Sequence, residues 1–403
     1  MNREDFPMIN SNLIYFDNGA TTLKPQMVID SITDYYSKYC ANAHRGDYAT
    51  SQKVDEMYEG VREKIRQFIH AKDKSEIVFT AGATDGLNRI VFGYFENKLQ
   101  AMDEVLITES EHASNVLPWF ILKQKKNIQV NYIPLNQNHE VTIENVKRSI
   151  TPKTKVISLA YITNVIGDIR PIREIIDYAH QKGILVVVDG AQSISHLKTD
   201  VILDDIDFFV TSAHKMYGPT GIGFLYGKFA LLNEMQPMNY GGGMNAMYLK
   251  DGYIELREVP TKFEAGTQNI AGVIGMGAAI DYLQKIGINK IIKYEHELKE
   301  YLLSKLATLD NIILYNQNTP GSIVTFNVKN IFSQDTAVYL DKHHICIRSG
   351  NHCSKILNEI FEINNTCRVS FGLYNTKEEI DIFVEKLKKR VENIKYSHLI
   401  NSN

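Results

Sequence analysis

The sequence predicts an α/β protein with a large, doubly wound, mainly parallel sheet and a smaller α+β domain. One observation is the run of five apolar residues at 184–188, which is typical of a strand covered by helices on both faces. A second is the regular succession of strand and helix patterns between residues 76 and 212. A third is the change after Gly266 to a small-residue helix, a long charged helix and short strands.

Each predicted element follows from its local pattern. A short strand at residues 13–16 runs into a turn, and a helix at 51–70 carries its apolar residues on one face. Further strands are predicted at residues 76–80, 104–108, 128–133, 155–160, 184–189, 206–212 and 322–327. Further helices are predicted from about residue 113 and at residues 143–149, 171–181, 273–285 and 289–309.

The length of the chain predicts two domains. At 403 residues it exceeds what a single hydrophobic core usually supports. Because the composition changes near residue 285, we expect a large domain at residues 15–285. Residues 1–14 and 286–403 would then form the small domain.

Charge and cysteine usage exclude several classes of function. The 44 basic and 47 acidic residues include no basic run, which argues against a nucleic-acid or anionic-membrane surface. The polar first residues and the lack of a long apolar run predict a cytoplasmic protein without a membrane span. The four cysteines have no CxxC spacing, so neither a zinc site nor a redox pair is predicted.

Two strand ends predict a cofactor site. Asp189 ends the strand at 184–189, and Lys215 follows the strand at 206–212, so both should face the crevice at the carboxyl ends of the sheet. A lysine binds an aldehyde cofactor as a Schiff base, and pyridoxal phosphate also needs an acidic partner for its ring nitrogen. Either residue alone could be an ordinary strand end or surface lysine, but Gln192 and His214 beside the pair favour pyridoxal phosphate.

Other strand ends add polar groups to the same edge. Ala83 and Thr84 begin a helix after a small-residue turn, which is a ready phosphate site, although a plain helix cap is the competing account. His112 and Asn164 follow two further strands. Each could be a cap or surface residue by itself, and only the shared crevice edge favours a functional role.

These motifs, in this order, resemble a known family. The segments that carry the resemblance are Glu111-His112, residues 163–167, 189–192, 212–221 and 263–267. They are similar to those of the class V, fold type I pyridoxal-phosphate enzymes, and more narrowly to SufS-type cysteine desulfurases, which take sulfur from cysteine for iron–sulfur cluster assembly. The resemblance covers residues from about 15 to 391 and implies the pyridoxal-phosphate transferase fold of type I.

The resemblance implies a role for each matching residue. It makes Lys215 the Schiff-base lysine, Asp189 the partner of the pyridine nitrogen, and His112 the ring stacked on the pyridine, with a further role in moving protons at sulfur. Gln192 would bind the phenolic oxygen, and Asn164 would lie near that oxygen and the substrate carboxylate. The implied phosphate ligands are Ala83, Thr84, Ser212 and His214, together with Thr267 from the other subunit of a homodimer.

The small domain supplies the expected nucleophile. Cys353 matches the thiol that takes sulfur from L-cysteine as a persulfide and leaves L-alanine, and Arg368 matches the guanidinium that holds the substrate carboxylate. Free cysteines are often small buried residues, but Gly350 and polar neighbours place Cys353 in a loop. Cys346, between two isoleucines of a strand pattern, is instead predicted to lie in the core.

The chain departs from the usual SufS-type segment, Arg-x-Gly-His-His-Cys-Ala, at two positions. Asn351 replaces the first His and Ser354 replaces the Ala. Gln334 stands where some members place a His that accepts zinc from a sulfur carrier, so the acceptor, of SufE or SufU type, stays open. The alternative function is a selenocysteine lyase, or another pyridoxal-phosphate lyase or aminotransferase on the same scaffold.

Overall fold

The computed structural model describes residues 3–400, in which fifteen strands form two large and two small sheets. The strands in chain order are β1 Ile14–Tyr15, β2 Ile77–Thr80, β3 Glu104–Thr108, β4 Gln129–Ile133, β5 Thr154–Ala160, β6 Leu185–Asp189, β7 Phe208–Ser212, β8 Gly223–Gly227, β9 Asn245–Tyr248, β10 Ile254–Leu256, β11 Ile312–Leu314, β12 Ile323–Val328, β13 Ile345–Cys346, β14 Arg348–Gly350 and β15 Thr366–Ser370. The helices are α1 Gln26–Asp34, α2 Ala49–Phe68, α3 Ala83–Asn88, α4 Glu96–Lys98, α5 Leu117–Lys126, α6 Ile143–Ser149, α7 Ile172–His180, α8 Phe229–Glu234, α9 Ile270–Ile286, α10 Ile288–Leu306, α11 Ser333–Asp341, α12 Lys355–Ile360 and α13 Lys377–Ile400.

The large sheet has the strand order β2-β8-β7-β6-β5-β3-β4. Strand β8 is antiparallel to both of its neighbours, and the other adjacent pairs are parallel. The predicted α/β fold with a mainly parallel sheet is therefore confirmed. Because the parallel strands end at one edge, the segments after β3, β5, β6 and β7 meet there.

Helices cover both faces of the large sheet, which explains the apolar strands. Alternate residues of β3 belong to different cores: Leu106 packs on the side of α2, α7 and α9, whereas Val105 and Ile107 pack on the side of α3 and α5. Strand β6 of the same sheet shows this alternation too, with Val186 on one side and Val187 on the other. A strand buried on both faces is therefore mostly apolar between its ends.

The second large sheet has the order β11-β12-β15-β14 and packs against α10, α11 and α13. Strand β1 pairs in parallel with β13, so the N-terminal strand joins this part of the chain. Phe6 lies between the two parts, because its ring contacts Tyr217 and Tyr282 as well as Tyr374.

The domain division near residue 285 stays a prediction. It falls within the last turn of α9, and Gly287, with a φ of 91°, turns the chain into α10. Residues 1–2 and 401–403, which the prediction assigns to the small domain, lie outside the described residues.

Two local features differ from the predicted elements. The helix expected from about residue 113 begins later, because residues 113–115 form a 3-10 turn capped by the His112 ring and α5 starts at Leu117, next to Pro118. The β9–β10 hairpin was not predicted, and most of its residues are exposed. Within residues 3–400, none of the helices combines the length and the apolar character needed to cross a membrane.

Candidate active site

A cavity opens at the carboxyl ends of β5, β6 and β7. Ten of the predicted site residues line it, and they are Ala83, Thr84, His112, Asn164, Asp189, Gln192, Ser212, His214, Lys215 and Cys353. Gly19, Ala20, Ser114 and Arg348 also line the cavity, although the sequence assigned them no role. The structure thus brings together an amine, a carboxylate, an imidazole and a thiol from segments that are far apart in the chain.

Burial shifts the pKa values of the two oppositely charged groups in the cavity. Asp189, the last residue of β6, accepts a hydrogen bond from the Ala191 N–H at 2.9 Å, and burial raises its pKa from 3.8 to about 6. Burial also lowers the pKa of Lys215 from 10.5 to about 8, which brings the neutral, nucleophilic amine within reach at physiological pH. A cationic ring nitrogen beside Asp189 would supply the positive charge that this carboxylate lacks.

The backbone around Lys215 is fixed by several donors. The His214 carbonyl accepts hydrogen bonds from the Thr22 N–H at 2.9 Å and from the Lys24 ammonium at 3.0 Å. The Lys215 carbonyl accepts from the Ser195 hydroxyl at 3.1 Å. Because both carbonyls are held, the start of the Lys215 side chain has one position relative to β7.

Hydroxyl and amide donors form the wall of the cavity at the start of α3. The Ala83 N–H donates to the Ser212 hydroxyl at 2.8 Å, and the hydroxyls of Thr84 and Ser114 are 2.7 Å apart. Gly82 precedes them with a φ of 140°, and a Cβ there would come within 3.0 Å of the Ser212 hydroxyl. This close set of donors at a helix start, together with His214, fits a phosphate group.

His112 presents a neutral ring to the cavity. Burial and the nearby Lys215 lower its pKa to about 4, and its Nδ1 accepts the Ser114 N–H at 3.1 Å. The preceding Glu111 forms a fully buried ion pair with Arg170 and accepts the Ala160 N–H at 3.0 Å. This pair fixes the loop after β3, so His112 has a defined orientation.

Cys353 lies on the turn between β14 and α12, with an exposed side chain that lines the cavity. Its Sγ is 3.8 Å from Nη2 of Arg348, which also lines the cavity. Arg348 is therefore a functional candidate that the sequence analysis missed. The available signal was its position in the Arg-x-Gly part of the cysteine segment.

Arg368 and Thr267 are the two predicted site residues that do not line the cavity. The Arg368 guanidinium is buried, donates to the Asp17 carboxylate at 2.9 Å and to the Asn164 carbonyl at 2.8 Å. A Cβ on Gly19 would approach Arg368 Cζ to 3.0 Å, so the glycine lets the guanidinium come near the cavity edge. Thr267 instead accepts a hydrogen bond from the Asn42 side chain at 3.1 Å.

The sequence and the fold agree with those of known proteins. A sequence profile of the family described as aminotransferase class-V matches residues 14–383. The chain is 42% identical over 393 residues to a probable cysteine desulfurase of Halalkalibacterium halodurans, covering 96% of both proteins. It is 39% identical over 393 residues to a cysteine desulfurase of Wigglesworthia glossinidia brevipalpis, again covering 96% of both.

Solved structures show the same overall arrangement. The crystal structure of the cysteine desulfurase CsdA of Escherichia coli matches with a TM-score of 0.92 and 34% identity, covering 97% of both chains. The apo structure of a cysteine desulfurase of Thermococcus onnurineus NA1 matches with a TM-score of 0.93 and 35% identity, also over 97% of both chains. By its sequence and its fold, the chain belongs to the aminotransferase class-V family.

Proposed function

We propose that this protein is a pyridoxal-phosphate-dependent cysteine desulfurase, which converts L-cysteine to L-alanine and keeps the sulfur as a persulfide on Cys353. The observation that carries the proposal is that the exposed thiol of Cys353 lines the same cavity as Lys215 and Asp189. An aminotransferase site needs only the lysine and the carboxylate, whereas sulfur transfer also needs a thiol. The relatives named as cysteine desulfurases support this assignment.

The cavity fits the cofactor. Lys215 would bind the aldehyde, Asp189 would keep the ring nitrogen protonated, and the neutral ring of His112 would lie against the pyridine. Gln192 would bind the phenolic oxygen, and the donors at Thr84 and the other residues of that wall would hold the phosphate. When bound, pyridoxal phosphate supplies an electron sink for the charge that develops at the substrate Cα.

The protein's own groups would then position the substrate and move its protons. Arg368 and Asn164 would bind the substrate carboxylate, since Asn164 lines the cavity and the Arg368 guanidinium contacts both the Asn164 carbonyl and the neighbourhood of Gly19, another cavity residue. The amine of Lys215 would take the proton from Cα, because its lowered pKa leaves part of it neutral at physiological pH.

Cys353 would collect the sulfur. Its sulfur, 3.8 Å from Nη2 of Arg348, would attack the substrate sulfur as a thiolate, so that an S–S bond forms as the C–S bond breaks. The substrate Cβ keeps the electron pair of the broken bond and takes up the proton that the Cys353 thiol gave up; the neutral ring of His112 would accept this proton from sulfur and pass it on within the same cavity. The products are L-alanine and a persulfide on Cys353, whose outer sulfur atom comes from the substrate.

We also propose that the enzyme is a homodimer in which Thr267 completes the phosphate site of the other subunit. Thr267 lies outside the cavity of its own Lys215. The β9–β10 hairpin exposes Tyr248, Tyr253 and Ile254 at 73, 52 and 58%, which is an apolar surface that a second copy could cover.

All four cysteines are free, which suits a reducing cytoplasm, where a SufE- or SufU-type acceptor would take the sulfur for iron–sulfur cluster assembly.

The proposal is tested with purified variants and L-cysteine. The wild-type protein should show a visible cofactor absorption band, and it should release alanine and form a persulfide. Lys215→Ala should lose the Schiff-base band, whereas Cys353→Ala should keep this band and lose persulfide formation. Cys40→Ala is the control, because Cys40 is the other exposed cysteine and does not line the cavity.

Two results would contradict the proposal. Wild-type protein with bound cofactor that forms neither alanine nor persulfide from cysteine is not a desulfurase. Full alanine release by Cys353→Ala would instead favour a selenocysteine lyase or another lyase, in which the thiol is dispensable. Parallel assays with cysteine and selenocysteine would then identify the preferred substrate.

A further inference from the structure

The hydroxyl of Ser354, one of the two departures from the family segment, has an unusual partner. Ser354 precedes α12 at the position where a serine side chain normally caps the helix, but its hydroxyl makes no capping bond. It is buried, with 2% exposure, and donates instead to Oδ1 of Asn164 at 3.1 Å. The hydroxyl thus connects the cysteine turn to the segment after β5.

Asn164 is the centre of this connection. While its Oδ1 accepts from Ser354, its Nδ2 donates to the His352 carbonyl at 2.7 Å, and its own carbonyl accepts from Arg368 at 2.8 Å. The His352 carbonyl can only accept, so it takes the NH2 end of the Asn164 amide, and the Ser354 hydroxyl meets the amide oxygen as a donor. Asn164 also lines the cavity, so the turn and the cavity wall share one side chain.

The turn needs such contacts, because its backbone is strained. His352 and Cys353 both have positive φ values, 51° and 58°, a region that residues with a Cβ rarely adopt. A second departure helps to hold the turn, since the Asn351 side chain accepts the Cys353 N–H at 3.1 Å. The Cys353 carbonyl accepts the Ala113 N–H at 2.7 Å, next to His112.

We infer that Ser354 is a positioning residue for Cys353, acting through Asn164. The hydroxyl and the amide form a two-bond clamp, defined as Ser354 Oγ to Asn164 Oδ1 and Asn164 Nδ2 to the His352 carbonyl. The clamp keeps the strained turn docked, with the thiol facing the cavity that holds Lys215. With an alanine at this position, as in the usual family segment, only the second of these bonds would remain.

The structural arm of the test does not depend on the cofactor or on activity. Hydrogen–deuterium exchange of apoprotein is compared for wild type and Ser354→Ala, followed in peptides that contain residues 351–356 and 110–116. Loss of one buried hydrogen bond should speed exchange of both peptides about fivefold. Ser333→Ala is the matched control, because it removes another buried serine hydroxyl, whose partner is Gln334 and not the segment after β5.

A double-mutant cycle tests whether Ser354 acts through Asn164. On an Asn164→Ala background, Ser354→Ala should add no further change in exchange, because its partner is already gone. Exchange in Ser354→Ala that equals wild type, or that rises equally with and without Asn164, would overturn the inference. This arm stands even if the protein proves not to be a desulfurase.

The kinetic arm rests on the proposed function. In the loaded enzyme, Ser354→Ala should slow persulfide formation about fivefold and change the KM for cysteine much less, because Asn164 keeps its bond to the His352 carbonyl while the turn that carries the thiol loses a contact. Ser354→Thr, which keeps the hydroxyl, should recover most of the rate. An unchanged rate in Ser354→Ala would refute a positioning role, whereas failure of wild type to form persulfide would count against the proposed function alone.

Discussion

At Asp189 and Lys215, burial acts on two opposite charges within one cavity. It raises the pKa of the acid and lowers the pKa of the base, so each group is less readily charged than in water. Such a pair is poorly solvated without a ligand. It is suited to a cofactor that brings an aldehyde to the amine and a protonated nitrogen to the carboxylate.

Asp189 makes the stability of the apoprotein depend on pH. Its pKa is higher in the folded state, about 6 against 3.8, so the folded protein binds the proton more tightly than the unfolded chain. The free energy of unfolding should therefore fall by about 3 kcal/mol from this group as pH rises from about 4 to about 6, and then level off. Asp189→Asn should remove this decrease in denaturant titrations.

The control for this prediction is Asp251→Asn, which changes an exposed aspartate on the β9–β10 hairpin. It should leave the pH dependence of wild-type apoprotein intact. A difference between wild type and Asp189→Asn that stays constant from pH 4 to about 7 would show that Asp189 has no raised pKa in the folded state.

At the scale of elements, close approach between β6 and β7 shapes the edge of the sheet that carries the site. Gly190 follows β6, and a Cβ there would lie 1.9 Å from Cζ of the buried Phe209 ring in β7. The ring cannot move away, because the helices on that face enclose it. Only glycine lets the chain turn here and place Asp189 at the strand end.

Two glycine substitutions should have opposite effects. Gly190→Ala should lower the free energy of unfolding by about 1–3 kcal/mol through overpacking, and it should weaken cofactor retention by shifting Asp189. Gly60→Ala should raise stability by up to about 1 kcal/mol, since Gly60 lies in the middle of α2 with open space around it. Thermal unfolding of both variants measures these changes in stability. Equal shifts of the melting temperature in the two variants would contradict the prediction.

The ion pair between Glu111 and Arg170 holds the loop that carries His112. Arg170→Met should leave a buried carboxylate without its cation and lower stability by about 3–5 kcal/mol. Lys98→Met, which breaks the exposed pair with Glu234, should cost much less stability, because water screens this pair. Denaturant titration compares the stability of the two variants. A small loss of stability in Arg170→Met would mean that the loop does not depend on the ion pair.

At the scale of the whole molecule, the site draws on both large sheets. Cys353 comes from the turn after β14, and it meets the segments after β3 and β5 through the Ala113 N–H and the Asn164 side chain. Arg368 of β15 meets Asp17, beside β1, and the Asn164 carbonyl. Any movement between the two sheets would therefore change the distance between the thiol and Lys215.

The proposed homodimer can be tested without activity. Analytical ultracentrifugation of the full chain should give twice the chain mass of 45.9 kDa. Replacing both Tyr248 and Tyr253 by Asp should shift the population towards monomer, because charges would enter an apolar contact. Tyr36→Asp, at another exposed tyrosine, is the control. A monomeric wild-type protein would contradict both the dimer and the role of Thr267.

The sequence by itself predicted the mainly parallel sheet, because strands buried on both faces are mostly apolar along their length. It also indicated the site residues at the strand ends, since polar side chains concentrate where such strands leave the core. It did not predict the β9–β10 hairpin, whose exposed residues carry no clear alternation. It also missed the late start of α5, where a 3-10 turn capped by His112 precedes the helix.

Only the tertiary structure decided that the Cys353 thiol lines the cavity of Lys215, that Arg348 accompanies it, and that Arg368 lies behind Gly19. It also gave the departing Ser354 a partner almost two hundred residues away in the chain. Local sequence patterns indicate secondary structure and which side chains are buried, because these depend mainly on residues close together in the sequence. Contacts between distant segments depend instead on how all helices and sheets pack together, which no single segment encodes.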